Sequence, residues 1–435
     1  MDPTIIGICS IVAMLTLMAL GVHLAVALAG CAFVGLLLTS GWKVTASLVA
    51  NCLYSGVSDY SLVLVPLYII MGSVSAASGI VEDSMRFANR WFGGVRGSLA
   101  MTSVACCAFF SAVCGSSTAT AVAIGKFMIP EMKKYGYDNK LATGTVAAAG
   151  TLGILIPPSL IMVIFGIMTD TPIGLLFIGA IIPGILLALF FIIGIMLLVY
   201  FKPALAPPPM KFSWNERISS IKGIWGITLL IAVIWGGIYG GIFTATEAGG
   251  IGAFWAFLLL LFRRSFRGAR SELMKAIPDA VQATAMIFIT MVTATLFSRF
   301  LTLAGVLDRI ITFMSSAAGS PVLTILLIFT VISIMGCFMV AIAVLLLTAP
   351  LTNTLLTGLG YDPIWVGIIN IILFELANIT PPVGLNVYVV KGIAPDIPME
   401  DIFRGCFLFV VLIILVLILL TVFPEIVLWL PNRMR

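Results

Sequence analysis

The residues that could do chemistry are few, and they gather at breaks in apolar sequence. Gly115-Ser116-Ser117-Thr118-Ala119-Thr120 sets four hydroxyls beside a glycine inside an apolar run. Glycine permits a tight turn, and a helix starting just after it aims free N–H groups, and about half a positive charge, at the tip. Hydroxyls with backbone carbonyls suit a hard cation; hydroxyls with N–H groups suit a carboxylate. A small-residue packing seam is the plainer alternative. Two proline pairs form a second set: Pro157-Pro158 follows Gly150-Thr151-Leu152-Gly153, and Pro381-Pro382 lies between Glu375 and Gly384, just after Asn378 and Thr380. Each pair removes N–H donors and frees upstream carbonyls, which then need a partner: a bound ion, or nothing more than a relaxed kink. Glu375 is an ionisable group inside an apolar segment. It is either functional or a structural carboxylate hydrogen-bonded to the freed backbone. Gly336-Cys337-Phe338-Met339-Val340-Ala341 interrupts another apolar run without hydroxyls, so ligation there falls to carbonyls. Asp59 and Arg299 sit nearer segment ends. His23, in a short loop between segments, reads as incidental.

The same inventory excludes several chemistries. One histidine leaves no His-dependent triad, multi-His metal site or haem bundle. With no H-E-x-x-H either, an intramembrane enzyme is rejected and no transition-metal site is expected. The eight cysteines form no C-x-x-C pair and read as small buried hydrophobes, not as a disulfide framework.

The elements that hold these residues are set by composition. Hydrophobic residues make up 61% and charged residues 9% of the 435, against roughly 45–50% and about 25% in soluble domains. That much apolar surface needs a bilayer, and at about 20 residues per spanning helix ten or more membrane segments fit. The expected class is an all-α polytopic membrane protein. Spans are expected at about 4–21, 24–40, 60–79, 141–168, 174–201, 223–243, 247–262, 278–303, 363–390 and 402–430. A charged amphipathic stretch, 80–97, fits the membrane surface, and a short segment occupies 304–319. The interrupted runs 98–125 and 321–350 read as re-entrant hairpins. The N-terminus lacks a basic region before its apolar run and reads as a first span, not a cleaved signal.

Charge supports that map. With the N-terminus outside and both hairpins entering and leaving on one side, 18 of the 23 Lys and Arg fall inside; Lys43, Arg299, Arg309, Arg433 and Arg435 do not. Both termini then lie outside. The net charge of +5 is explained by this sorting and needs no nucleic acid.

Self-comparison finds a repeat. Gly136-Tyr137-Asp138 recurs as Gly360-Tyr361-Asp362 and Pro157-Pro158 as Pro381-Pro382, each at an offset of 224. Gly115 pairs with Gly336, Pro130 with Pro350, and Gly79 with Gly305 at nearly that offset. On the map the two copies have opposite orientation. Inverted repeats with paired broken helices are the signature of a secondary transporter with its site at the midplane. The expected units are a scaffold of N-terminal spans (1–58), a first repeat (59–201), connecting spans with a basic link (202–277), a second repeat (278–400) and a C-terminal span (401–435).

At these motifs the chain resembles a known family. GSSTATAVAIGKFMIPEMKKYGYD, followed by ATG-x5-GTLGILIPPS, is similar to the signature of the large membrane subunit of tripartite ATP-independent periplasmic (TRAP) transporters, the DctM-like type. GIFTATEAG (241–249) resembles that family's segment leading into the second repeat, and GYDPIWVGIIN-x4-E-x4-TPPVGLN its C-terminal signature. The resemblance covers essentially the whole chain. It implies the ion-transporter superfold with two hairpins, an elevator mechanism and Na⁺-coupled import of an organic acid of C4-dicarboxylate or sialic acid type. It implies a bacterial inner-membrane location, a small four-helix membrane subunit and a periplasmic substrate-binding protein as partners. Carried over by motif, one sodium site would involve Ser116, Ser117, Thr118, Gly153 and Pro157, and a second Gly336, Cys337, Thr380, Pro381 and Gly384. Substrate would lie between the tips, near Ser116, Ser117, Thr118, Asn378 and Thr380. A stand-alone anion or proton-coupled exchanger of the same superfold is the alternative.

Overall fold

The computed structural model describes residues 2–20, 22–58, 60–208, 213–264, 266–306, 309, 321–338 and 341–434. Asp59, Met339, Val340, Lys211, Arg435 and most of the 304–319 segment lie outside the described residues. Among those described there is no strand, and the helices in chain order are α1 (Pro3–Ala19), α2 (Leu24–Ser58), α3 (Leu64–Ala77), α4 (Ile80–Phe92), α5 (Ser98–Cys114), α6 (Ser117–Lys134), α7 (Asn139–Leu155), α8 (Leu160–Thr169), α9 (Ile173–Phe201), α10 (Trp214–Tyr239), α11 (Ala245–Arg263), α12 (Phe266–Leu303), α13 (Pro321–Phe338), α14 (Ala341–Gly358), α15 (Pro363–Asn378), α16 (Leu385–Ile393), α17 (Met399–Val422) and α18 (Glu425–Asn432).

Six of these helices are long and apolar enough to cross a membrane, and up to eight if each of two bent pairs counts as one span. Ten or more segments are reached only by including the shorter apolar helices, chiefly those of the hairpins. Burial sorts the layers. Every residue of α7 from Leu141 to Leu155 is buried, and α15 is buried from Ile364 to Glu375. The outer helices instead expose apolar side chains, as α9 does with Ile185, Leu189, Ile193, Met196, Leu197 and Tyr200, the face a lipid-solvated helix presents.

Several boundaries differ from expectation. The second span does stop at about 40, where the chain leaves helical geometry at Gly41 (φ 74°), but an unexpected further helix then runs to Ser58. Residues 42–58 carry Lys43 and several polar groups, so no apolar run marks them. The basic link is largely helical, because α12 begins at Phe266 and tolerates Pro278 inside it. The hairpins run on to Lys134 and Gly358, and the last span breaks at Phe423-Pro424.

The first hairpin turns back as expected. Tyr137, just past its end, reaches back to the start: its Oη accepts from Leu99 N–H at 3.1 Å. A single crossing would separate these residues by the length of a span. The same face collects the other basic stretches. Asp138 N–H bonds Leu205 O at 3.0 Å, Lys140 pairs with Asp401 at 3.3 Å and Lys133 with Asp396. Arg263 pairs with Asp83 of α4, and Arg90 donates to Glu216 O and Ser219 Oγ at 3.1 and 3.0 Å. Arg309 instead pairs with Asp2 at the start of α1. The amphipathic α4 turns 69° from α3, as a surface-lying helix must.

Local geometry recurs between the two copies. Gly136 (φ 78°) and Gly360 (φ 92°) are left-handed C-caps, with Tyr137 N–H bonding Met132 O and Tyr361 N–H bonding Leu356 O, both at 3.0 Å. Asp138 and Asp362 then cap α7 and α15. The motif Gly-Tyr-Asp is thus a helix stop followed by a helix start. Both Pro-Pro bonds are cis. One pairing fails: Gly115 (φ 62°) makes the first turn, whereas Gly336 lies inside α13. The glycine there serves close packing, since a Cβ would sit 2.5 Å from the Ala377 methyl. At the offset of 224 the counterpart of Gly115 is Met339, outside the described residues.

The tightest helix crossing is α7 on α17. A Cβ at Gly405 would come 2.0 Å from Lys140 O, and one at Gly144 2.2 Å from the Gly405 carbonyl carbon. Backbones approach this closely only through small residues. Gly405→Val is expected to destabilise by about 1–3 kcal/mol through overpacking, read as a lower melting temperature of the purified protein. An unchanged melting temperature would show that α17 moves aside freely.

Candidate functional site: a cavity at the hairpin tips

Ser116 stands in extended geometry (φ −135°) between α5 and α6, and its Oγ accepts from Ala119 N–H at 3.4 Å, capping α6. Serine is chosen here because a short hydroxyl satisfies an orphan N–H at a helix start. Thr118 Oγ1 lies 3.4 Å from Ser116 Oγ. Ser117 points the other way, into the protein, where its Oγ accepts from Asn386 Nδ2 at 2.8 Å. Asn386 is fully buried in the first turn of α16 and also donates to Ala147 O at 3.1 Å. Its Oδ1 has no partner among the described residues. This amide ties the second copy's broken helix to the first hairpin tip and to α7.

The structure brings Gly153 against that tip, and Pro158, next to Pro157, against Gly115. A Cβ at Gly153 would lie 2.5 Å from Ser116 O, so only glycine lets α7 reach the turn. At Gly115 the nearest atom is Pro158 O, 3.0 Å from the Cβ position. The carbonyl freed at Pro157 is partnered from the scaffold: Trp235 of α10 donates its indole N–H to Pro157 O at 3.0 Å. Ser159 then caps α8.

The second break solves the same problem differently. Thr380 Oγ1 donates to Leu376 O at 2.5 Å, so the threonine closes its own helix. The carbonyls of Thr380 and Asn378 lie 3.2 and 3.4 Å from the Cβ position of Gly384, whose φ of 60° lets the chain turn tightly around them. Gly336 approaches from α13 against Ala377, and its neighbour Cys337 is buried. Pro381 follows directly in the break. Of the five residues of this expected group, Thr380, Pro381 and Gly384 share the break, and Gly336 reaches the helix end just before it through Ala377. Neutral oxygens of this kind suit a hard monovalent cation at either tip, and Asn386 Oδ1 is a free acceptor beside Ser117. Glu375 is fully buried, and neither carboxyl oxygen has a hydrogen-bond partner among the described residues. Bonding to freed backbone, the structural alternative for this residue, is not what the fold does; Thr380 takes that role.

A cavity of about 300 Å³ lies between the tips, lined by Ser116, Ser117, Thr118 and Asn378. Five helices present their first residues to it: α2 (Leu24), α6 (Ser117, Thr118), α8 (Leu160, Ile161), α14 (Ala341, Ile342) and α16 (Leu385). No Lys, Arg, Asp or Glu is among its described lining. Each helix start carries part of a positive charge in its unbonded N–H groups. Much of the remaining described lining is apolar, with Ile154, Ala283, Met286 and Ile287 among it; helix starts in general favour an anion. A second cavity of about 770 Å³ runs from Gly115 and Ser116 past Tyr68 and Gly72 to Lys126, Glu272, Lys275 and Asp279.

Sequence reasoning missed three residues here. Asn386 was signalled only as an amide in an apolar helix. Trp235 had no signal, being a lone aromatic in a span. His23, read as incidental, lines the tip cavity. Arg299 is exposed near the end of α12, away from the cavity lining. Asn386→Leu is expected to leave Ser117 and Ala147 O unserved and to cost about 1–3 kcal/mol. The readout is the melting temperature in detergent; a wild-type value would mean that this amide does not hold the tip.

The whole-chain comparisons agree with this architecture. Residues 11–426 match the family model described as the tripartite ATP-independent periplasmic transporter, DctM component. The chain is 35% identical over 382 residues (87% of this chain, 88% of the relative) to a protein of Pseudomonas aeruginosa named C4-dicarboxylate TRAP transporter large permease protein DctM. It is 30% identical over 388 residues (88% and 89%) to the sialic acid TRAP transporter large permease protein SiaM of Vibrio cholerae. Among solved structures it resembles the YdaH transporter of Alcanivorax borkumensis, with a TM-score of 0.64 at 16% identity over 98% of both chains, a likeness of fold. These relatives are transport permeases and not enzymes. The family model spans nearly the whole chain and the relatives align over most of their own length, so this polytopic membrane protein belongs to the DctM family of TRAP transporter large permease subunits.

Proposed function

We propose that the chain is the transmembrane importer subunit of a Na⁺-coupled system for an organic acid, delivered by a periplasmic binding protein and assembled with a small four-helix membrane subunit. Its place is the bacterial inner membrane with both termini on the periplasmic side, since the basic stretches share one face and that face is then cytoplasmic. The observation that carries the reading is the tip cavity. Five helix starts, the hydroxyl-bearing residues Ser116, Ser117, Thr118 and Thr290 and the amide Asn378 border it, and no Lys, Arg, Asp or Glu is among its described lining. Donors in that arrangement favour an anion, and the relatives named for C4-dicarboxylate and sialic acid carry carboxylates.

Sodium fits beside the anion. The first site uses Ser117 Oγ and the Ser116 carbonyl with Asn386 Oδ1 close by; the second uses the carbonyls gathered at Asn378, Thr380 and Gly384. The larger cavity gives the direction of opening. It joins the first tip to Lys126 and Lys275, both assigned to the cytoplasmic face, so the conformation is the inward-open end of an alternating cycle. The two tips with α7 and α15 move as an elevator against α2, α10, α11 and α12, and the inverted copies supply the two mirror-related end states.

The test is uptake into vesicles reconstituted with the small subunit and the binding protein. Ser117→Ala is expected to raise the Na⁺ concentration for half-maximal uptake about tenfold, the effect of one lost neutral ligand. Omitting the binding protein is expected to abolish uptake. Unchanged Na⁺ activation in Ser117→Ala would remove the first tip from the sodium site, and full-rate transport without the binding protein would favour a stand-alone exchanger.

A further inference from the structure

The tip cavity has two walls. One is made by the hairpins and broken helices; the other by α12, through Met286, Ile287 and Thr290, and by the loop that starts α2. His23 lies in that loop and is the one titratable side chain among the described lining. It is the single histidine of the chain. Its Nδ1 accepts from the Ala25 N–H at 3.3 Å, capping α2. While Nδ1 accepts this bond, the ring's N–H donor is Nε2. That leaves one directed donor on an exposed ring, bordering the same space as Ser116, Thr118 and Asn378.

We propose that His23 is a substrate-contacting residue, donating its Nε2–H from the scaffold wall to the anionic group of the cargo held at the hairpin tips. This rests on the organic-acid reading of the cavity and goes beyond it, because the motifs of the family place no residue in this loop. The physical need is plain. A carboxylate displaced from water requires several donors, and the cavity holds no Lys or Arg to supply them. Four of the five helix starts, with Ser116 and Thr118, approach from the hairpin side, while the α2 start and Thr290 stand on the other wall beside His23. His23 supplies a donor from the opposite side, and a contact made across the two walls exists only while the tips face the scaffold in this register. His23 therefore favours cargo capture or release in one end state and leaves the sodium sites alone.

A pair of amides separates contact from capping. Asparagine retains the oxygen that caps a helix start and lacks the distal donor; glutamine places an N–H₂ near the position of Nε2 and caps poorly. Wild type, His23→Asn, His23→Gln and His23→Ala would be reconstituted with the small subunit and cognate binding proteins. Uptake of labelled succinate, N-acetylneuraminate and isethionate would be measured, with melting temperatures recorded. The expected result is a KM raised about tenfold in His23→Asn and His23→Ala, largely restored in His23→Gln, with the Na⁺ dependence unchanged in all three. His23→Asn at the wild-type KM, with or without loss in His23→Gln, would reduce the residue to a helix cap and overturn the proposal. Wild type taking up none of the three acids would overturn the organic-acid reading and this proposal with it.

Discussion

Hydrocarbon cannot hydrogen-bond a peptide group, so a helix that stops inside the bilayer must have its loose N–H and C=O groups served by protein or by something the protein holds. The first hairpin and the two Pro-Pro segments all contain such stops, and the arrangement around them follows from serving them. Ser116 and Ser159 cap the helices that restart after the first turn and the first break. Trp235 reaches from α10 to the Pro157 carbonyl. Thr380 folds back on Leu376. Asn386 spans from α16 to Ser117 and Ala147. The cavity between the tips is bordered by the same restarts, at Ser116 to Thr118, Leu160 and Leu385.

The two copies share backbone and differ in side chains, and the difference is informative. Both have the left-handed glycine, the tyrosine and the capping aspartate, and both have the cis Pro-Pro bond. At the offset of 224, Glu375 stands where the first copy has Thr151. Thr151 spends its hydroxyl on Ala148 O at 2.6 Å, whereas Glu375 has no partner for either oxygen among the described residues. Gly153 likewise corresponds to Ala377. The first copy brings α7 to its tip through that glycine; the second takes the glycine onto the hairpin, at Gly336, and lets Ala377 fill the gap. The same close contact is made from opposite partners. A geometrical repeat can therefore persist while the residues that implement it trade places.

This is also why some of the site was legible in the sequence and some was not. Breaks are local: glycine, proline and hydroxyl types announce a turn, and Gly-Tyr-Asp announces a stop and a start. The first hairpin, both Pro-Pro breaks and the Ser116–Thr118 tip followed from that, as did the sorting of basic stretches to one face. Partners are not local. Trp235 meets Pro157 across 78 positions, and Asn386 meets Ser117 across 269, so neither pairing leaves a spacing to read. The second half of α2 was hidden because residues 42–58 mix polar and apolar groups without a span-length run. Gly336 misled because a glycine at a close crossing and a glycine at a turn look alike until φ is known. His23 misled because a loop residue's neighbours belong to other elements.

The absence of Lys and Arg from the described cavity lining has a consequence for coupling under the proposed function. A fixed cation would hold an anion whether or not sodium were present, and would carry a full charge with the moving domain through the membrane. Helix starts provide only about half a charge each, spread over N–H groups. Each such start is balanced by the opposite end of its own helix, so the bound anion's net charge still has to cross a medium where an unpaired charge costs several kcal/mol. Sodium at the adjoining carbonyls and hydroxyls completes the compensation. It also ties down the backbone whose N–H groups face the cavity. By linkage the cargo then strengthens sodium binding by the same factor, so neither crosses readily without the other. In this arrangement the requirement for sodium follows from leaving the anion site without a charge of its own.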